Sequence, residues 1–250
     1  MKKIAIMECW ARSGGTILHR CLSLLPNTIA YSEVNSVVVC PTKCPTIKDQ
    51  SREWYGIDLH SETFEGQVRE VVNNPSTQNH HIIIRDWSYG SFVPLSFNNF
   101  QPENNLGTLQ CLKKICKCKS FAFVRNAKDI WLSMSVSEKE FHDIKLEHLL
   151  CYTKQIIMSG MPIFKYEDFC ENPELVMRSI CQYLEMEYSN TFLHFYENYK
   201  TTGDIDTVKI SRGSPLHKIS ILPRRDISDE KSVLLELSYA DEVNALLGYE

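Results

Sequence analysis

Apolar positions in this chain fall into short continuous runs separated by longer amphipathic stretches. Lys3–Met7 (KIAIM), His80–Ile84, Ser120–Val124 (SFAFV) and Met161–Tyr166 (MPIFKY) each read as a buried strand. Between them, 3.6-residue spacing predicts helices over 17–25, 62–72, 106–116, 126–138 and 141–159. Further helices follow over 173–185, 190–199 and 229–247. Pro26-Asn27 and Asn73-Asn74-Pro75 close two of them, Asn126 is placed as an N-cap, and Pro173 stands at a first helical position. Residues 36–60, 88–105 and 200–226 read as irregular. Strands that are apolar throughout and alternate with helices predict an α/β fold, three layers α/β/α around a central parallel sheet.

The 250 residues show no internal repeat and no compositional break, so one domain over 1–250 is expected. A net charge of −4 supplies no global basic field, which argues against nucleic acid as the main partner. No run reaches the ~20 apolar residues of a membrane helix, and Glu8 and Arg12 interrupt the N-terminal apolar run too early for a secretory signal. The ten scattered cysteines therefore read as reduced thiols of a cytoplasmic protein. Cys40-x3-Cys44 and Cys116-x-Cys118 lack a second pair at finger spacing, so no metal is expected.

In a parallel sheet, ligands bind outside the carboxyl ends of the strands. Those ends carry Arg12-Ser13-Gly14-Gly15-Thr16, Arg85-Asp86, Arg125-Asn126 and Tyr166-Glu167-Asp168. Three arginines converging on one edge point to an anionic ligand. The glycine turn leading into a helix suits a phosphate, whose charge meets free backbone N–H groups and the Ser13 and Thr16 hydroxyls. No Gly-Lys-Ser/Thr follows, so this is not an ATP-hydrolysing P-loop of the usual kind.

Arg12-Ser13-Gly14-Gly15-Thr16-Ile17-Leu18 resembles the 5′-phosphosulfate loop of sulfotransferases that use 3′-phosphoadenylyl sulfate (PAPS). Phe123-Val124-Arg125-Asn126 through Ser133 resembles their 3′-phosphate motif, and Tyr166-Glu167-Asp168 their tyrosine-acidic-acidic segment. The motif style is nearest the tyrosylprotein-type and bacterial branch. The resemblance spans residues 4–186 and implies a P-loop-like sulfotransferase fold and sulfuryl transfer from PAPS, with adenosine 3′,5′-bisphosphate as product. It implies nucleotide contacts from Arg12, Ser13, Gly14, Gly15, Thr16, Ile17, Arg125, Ser133 and Tyr166, and from Arg212-Gly213 in a late basic loop. Glu33 stands where that branch has its glutamate base, and Arg85 where it has a lysine that stabilises the transition state; Arg12 joins them as a catalytic cation, and Asp86 would orient Arg85 or the acceptor.

Gly15 departs from the family's hydroxyl residue, and Glu185 replaces the glycine of its Leu-Gly. The acceptor, a small molecule, peptide or glycan, would meet residues 36–60 and 88–105, where Trp54, Tyr55, Trp87, Tyr89 and Phe92 line a pocket or pack internally. His80 and His81 are rival bases at the wrong end of their strand. A small-molecule kinase and a non-catalytic nucleotide binder are the alternatives.

Overall fold

A computed structural model describes residues 4–39, 45–95, 101–135, 144–195, 219–221 and 230–249. Five parallel strands are β1 (Ile4–Cys9), β2 (Thr28–Val34), β3 (His81–Asp86), β4 (Cys118–Val124) and β5 (Ile163–Lys165). Their order is β2-β3-β1-β4-β5. The helices are α1 (Gly15–Ser23), α2 (Ile47–Tyr55), α3 (Phe64–Asn73), α4 (Gly107–Ile115), α5 (Ala127–Ser135) and α6 (Leu146–Ser159). They continue with α7 (Tyr166–Glu171), α8 (Pro173–Leu184), α9 (Phe192–Phe195) and α10 (Glu230–Leu246).

Alternate residues of a strand face opposite sides, and this divides the core in two. Ile4, Ile6, Ile82 and Ile84 join one cluster, while Ala5, Met7, Ile83, Phe121 and Phe123 join the other. Each fully buried large aliphatic or aromatic side chain contributes about 1.5–3 kcal/mol, so both faces must be roofed. The sequence-based expectation of a three-layer parallel α/β fold therefore holds.

Four local expectations change. First, Thr28–Val34, to which the sequence pattern assigns no element, is a strand, entirely buried although it carries Ser32 and Glu33. Second, within the stretch read as irregular, Ile47–Tyr55 is helical, started by a reciprocal Thr46–Asp49 capping box and closed by Gly56 at φ 64°. Third, β3 runs through Arg85 and Asp86, so both residues belong to the strand. Fourth, Tyr166 opens a short helix, which replaces the loop expected at Glu167-Asp168. Glu185 caps α8 at φ 58°, adopting the left-handed conformation that the family's glycine would take without strain.

The chain crosses from the β3 side of β1 to the β4 side, so the topological switch lies between the carboxyl ends of β1 and β4. The loop after β1 ends with Gly14 at φ 84°, and α1 begins at Gly15, its free N–H groups above that switch. α10 closes the neighbouring end. Asn244 Oδ1 accepts from Ala127 N at 2.8 Å, and the Tyr249 hydroxyl donates to Glu167 at 2.7 Å.

Candidate active site

Arg12 and Arg125 meet at the switch. Arg12 Nε donates to Ser133 Oγ at 2.9 Å, and Arg125 Nη1 donates to the Arg12 carbonyl at 3.2 Å. The Arg125 guanidinium lies 4.7 Å from the centre of the Tyr166 ring. Tyr166 is also pressed against Gly14, where a Cβ would stand 2.3 Å from Tyr166 Cδ2. Gly14 is needed twice, for its positive φ and for this approach. Ser133 stands on α5 with Asn126 and Asp129 on the half-exposed side, opposite buried Ile130 and Met134. Asn126 Oδ1 accepts from Lys128 N at 3.0 Å, as its expected capping role requires.

Arg85 builds a second cluster on the α1 face of the sheet. It is 6% exposed. Nη2 reaches Glu33 Oε1 at 2.8 Å, and Nη1 reaches Thr16 Oγ1 at 3.2 Å and Ser32 Oγ at 3.5 Å. Glu33, itself 9% exposed, is brought here by an irregularity between Tyr31 and Val34 in the pairing of β2 with β3. Glu33 at φ 50° and Arg12 at φ 65° are both in the left-handed region, which is unusual for such residues. Backbone strain of this kind persists where the surroundings over-determine it, and it clusters at functional sites.

Asp86 does not orient Arg85. It points to the opposite side of the sheet, towards Asn35 Nδ2 at 3.4 Å, and Glu33 takes the place beside the guanidinium. The cause is strand alternation: consecutive residues of β3 cannot share a face. The aromatic pocket resolves as packing. Trp87 and Phe92 are buried, Trp10 packs against Tyr89, Phe92 and Tyr152, and the Tyr55 hydroxyl donates to the Ala30 carbonyl at 2.8 Å. His81 starts β3 at the amino end of the sheet, away from both arginine clusters.

Gly15 also gains a reason. A Cβ there would stand 2.4 Å from Cys9 Sγ and 3.1 Å from Arg85 Nε, so the buried thiol fills the space a larger residue would need. Burial raises the Cys9 thiol pKa, so it is a neutral neighbour of the loop. The sequence pattern does not single out Ser32, Glu8 and Asn35, which join the site's surroundings. A charged residue in an otherwise apolar strand is the signal that could have found Glu8.

The residues fit a bis-anionic nucleotide. Ser13 Oγ and Arg125 Nε are buried without a hydrogen-bond partner among the described residues, and the α1 N-terminus adds backbone donors. Arg12, Arg125 and Ser133 would hold one anionic end, and Thr16, Arg85 and the α1 N-terminus the other. Arg212 and Gly213 lie outside the described residues, as do Cys40 and Cys44. The thiols of Cys116 and Cys118 each donate to a backbone carbonyl, and burial pushes the Cys118 pKa up to about 12.

A cavity of about 400 Å³ opens beyond the carboxyl end of β2. Ser36, Thr63, Glu65, Glu103, Gln110 and Lys114 supply its polar lining.

No family model matches the sequence, and no curated protein sequence matches it. Solved structures do match. The sulfotransferase domain from the Synechococcus PCC 7002 olefin synthase superposes with a TM-score of 0.56 at 15% identity, covering 100% of this chain and 95% of that one. The sulfotransferase domain from the curacin biosynthetic pathway gives 0.53 at 13% identity, covering 100% and 99%. The fold is that of the sulfotransferases, as the three motifs imply.

Proposed function

We propose that this chain transfers a sulfuryl group from PAPS to a hydroxyl or amine of an acceptor, in the manner of the tyrosylprotein-type and bacterial branch. The observation that carries the reading is the contact of Arg12 with Ser133 and of Arg125 with the Arg12 carbonyl. Two motifs far apart in sequence thereby form one guanidinium-lined end, while Arg85 and Thr16 form another beside the α1 N-terminus. Guanidinium groups pair with phosphate oxygens through two parallel donors, which suits the 3′-phosphate.

In-line transfer needs a proton acceptor on one side and positive charge on the other. Glu33 takes the proton as the acceptor oxygen or nitrogen bonds to sulfur. The bond from sulfur to the bridging phosphate oxygen breaks, and adenosine 3′,5′-bisphosphate leaves. Arg85, with Thr16 and the loop N–H groups, holds the charge growing on that oxygen. Arg85 is pre-organised for this by its contact with Glu33, so the base and the cation are fixed together. These residues carry the charge without a metal.

The acceptor is a small molecule, or a group of a peptide or glycan, that brings its hydroxyl or amine to Glu33. Among the described residues no helix is long and apolar enough to cross a membrane, and a cytoplasmic location is part of this reading. The test is a transfer screen with PAPS carrying labelled sulfate against mixed hydroxyl and amine acceptors. Label moving to an acceptor supports the enzyme. Bisphosphate binding with no transfer to any acceptor would replace it with a nucleotide-binding protein, and magnesium-dependent ATP turnover with a kinase.

A further inference from the structure

On the sheet face opposite Arg85, the ends of β1 and β3 bury two carboxyl groups side by side. Glu8 is 0% exposed and Asp86 3%. The register that pairs Met7 with Arg85 sets them one step further along on adjacent strands, on the same face of the sheet, and two buried carboxyls so placed cannot both ionise without strong repulsion. Ser88 Oγ donates to Glu8 Oε2 at 2.9 Å and accepts from Cys9 N at 3.3 Å. Glu8 Oε1 meets no donor among the described residues. As half of a carboxylate it would be a buried acceptor left without a donor, whereas a protonated carboxyl supplies the hydrogen the pair lacks.

Asp86 passes this on to the segment after Glu33. Asn35 Nδ2 lies 3.4 Å from Asp86 Oδ1, 3.4 Å from the Trp87 carbonyl and 3.0 Å from Ser91 Oγ. Asn35 Oδ1 in turn accepts from Val37 N at 2.9 Å and Val38 N at 3.1 Å. Trp87 N donates to the Val34 carbonyl at 3.2 Å. The strained turn at Glu33 is thus clamped from its downstream side by contacts that converge on Asp86 and its neighbours.

We propose that Glu8 and Asp86 share one proton and act as a positioning pair, holding through Asn35 the turn that presents Glu33 to Arg85. The catalytic part of this rests on the sulfotransferase reading; the shared proton and the clamp do not. Asp86 and Ser88 act on Glu8 directly, while Tyr152 of α6, Cys118 of β4 and Cys9 of β1 feel its charge. Thr108 of α4 faces Asp86 as well and favours its ionised form. Ionising both carboxyls would set two negative charges against one another in a buried site, so the pair keeps its proton at neutral pH.

The test uses the whole chain. Infrared spectra at neutral pH are expected to show the carbonyl band of a protonated carboxylic acid, lost in Glu8→Gln. Amide exchange at Val37 and Val38 is expected to speed up at least ~10-fold in Glu8→Leu, which has no donor, and to stay near wild type in Glu8→Gln, whose amide still donates. Where PAPS turnover is measurable, Glu8→Leu should lower kcat and leave the KM for PAPS unchanged. An identical carbonyl region in wild type and Glu8→Gln would overturn the shared proton. Unchanged exchange in Glu8→Leu would overturn the clamp. Should Glu8→Leu fail to fold, Asp86→Asn and Asn35→Ala take its place, the first read by infrared and the second by exchange at Val37 and Val38. Absence of any sulfate transfer would count against the proposed activity and leave the infrared and exchange results standing.

Discussion

The side chain of Arg12 closes on Ser133, Nε to Oγ at 2.9 Å, across 121 positions of sequence. The two residues come from the loop after β1 and the helix after β4, so the contact ties together both banks of the switch crevice. A hydrogen bond to a charged group is worth about 1.5–3 kcal/mol, and residues in direct contact couple energetically. In a double-mutant cycle on bisphosphate affinity, Arg12→Ala and Ser133→Ala should each weaken binding roughly 10-fold or more. The double variant should fall short of the product of the two losses. Fully additive losses would show that the pair does not act as one unit.

The ion pair of Glu33 with Arg85 is buried, and breaking such a pair by removing one partner costs about 3–5 kcal/mol. Glu33→Ala should therefore lower both stability and turnover. Glu33→Gln keeps a hydrogen-bond acceptor for Arg85 but loses the base. It should destabilise less than Glu33→Ala and leave bisphosphate affinity near wild type while kcat falls ~100-fold or more. Normal turnover in Glu33→Gln would remove Glu33 as the base.

Gly15 and Cys9 divide one volume between them. Gly15→Thr, which restores the family's hydroxyl, should destabilise by about 1–3 kcal/mol through overpacking against Cys9 Sγ. Cys9→Ala in the same chain should recover most of that loss, as read by denaturant unfolding. An additive penalty in the double variant would show that the clash lies elsewhere.

Burial raises the Glu8 carboxyl well above its ordinary value, and raises Asp86 to about 6. A carboxyl whose folded pKa is raised binds protons more tightly in the folded chain than in the unfolded one. Its contribution to stability is full below the unfolded value and is lost as pH rises through the folded one. Stability should accordingly fall as pH is raised from about 4 to 7, with Asp86 contributing up to about pH 6. Glu8→Gln should flatten that slope, and chemical denaturation at a series of pH values reads it directly. A slope of opposite sign that is unaffected by Glu8→Gln would contradict the assignment.

Much of this site was legible because its contacts are carried by short contiguous motifs at strand ends. The Arg12–Thr16 loop and the Arg125–Ser133 segment each name their own residues, and the parallel-sheet rule brings them to one edge. β2 was not legible as a strand because Thr28–Val34 interrupts its apolar run with Ser32 and Glu33, polar groups buried by the cluster they form. The helix Ile47–Tyr55 was hidden by its polar face, although Thr46, Asp49 and Gly56 marked both its ends. Asp86 follows Arg85 in sequence, but strand alternation turns the two side chains to opposite faces, so their adjacency does not carry into space. The Glu8–Asp86 pair depends on the β1–β3 register, which no local pattern contains.

The most direct test of the central claim is isothermal titration of the purified chain with adenosine 3′,5′-bisphosphate. The account predicts saturable binding without magnesium, weakened at least ~10-fold in Arg125→Ala. No heat of binding in the wild type, or undiminished affinity in Arg125→Ala, would contradict it.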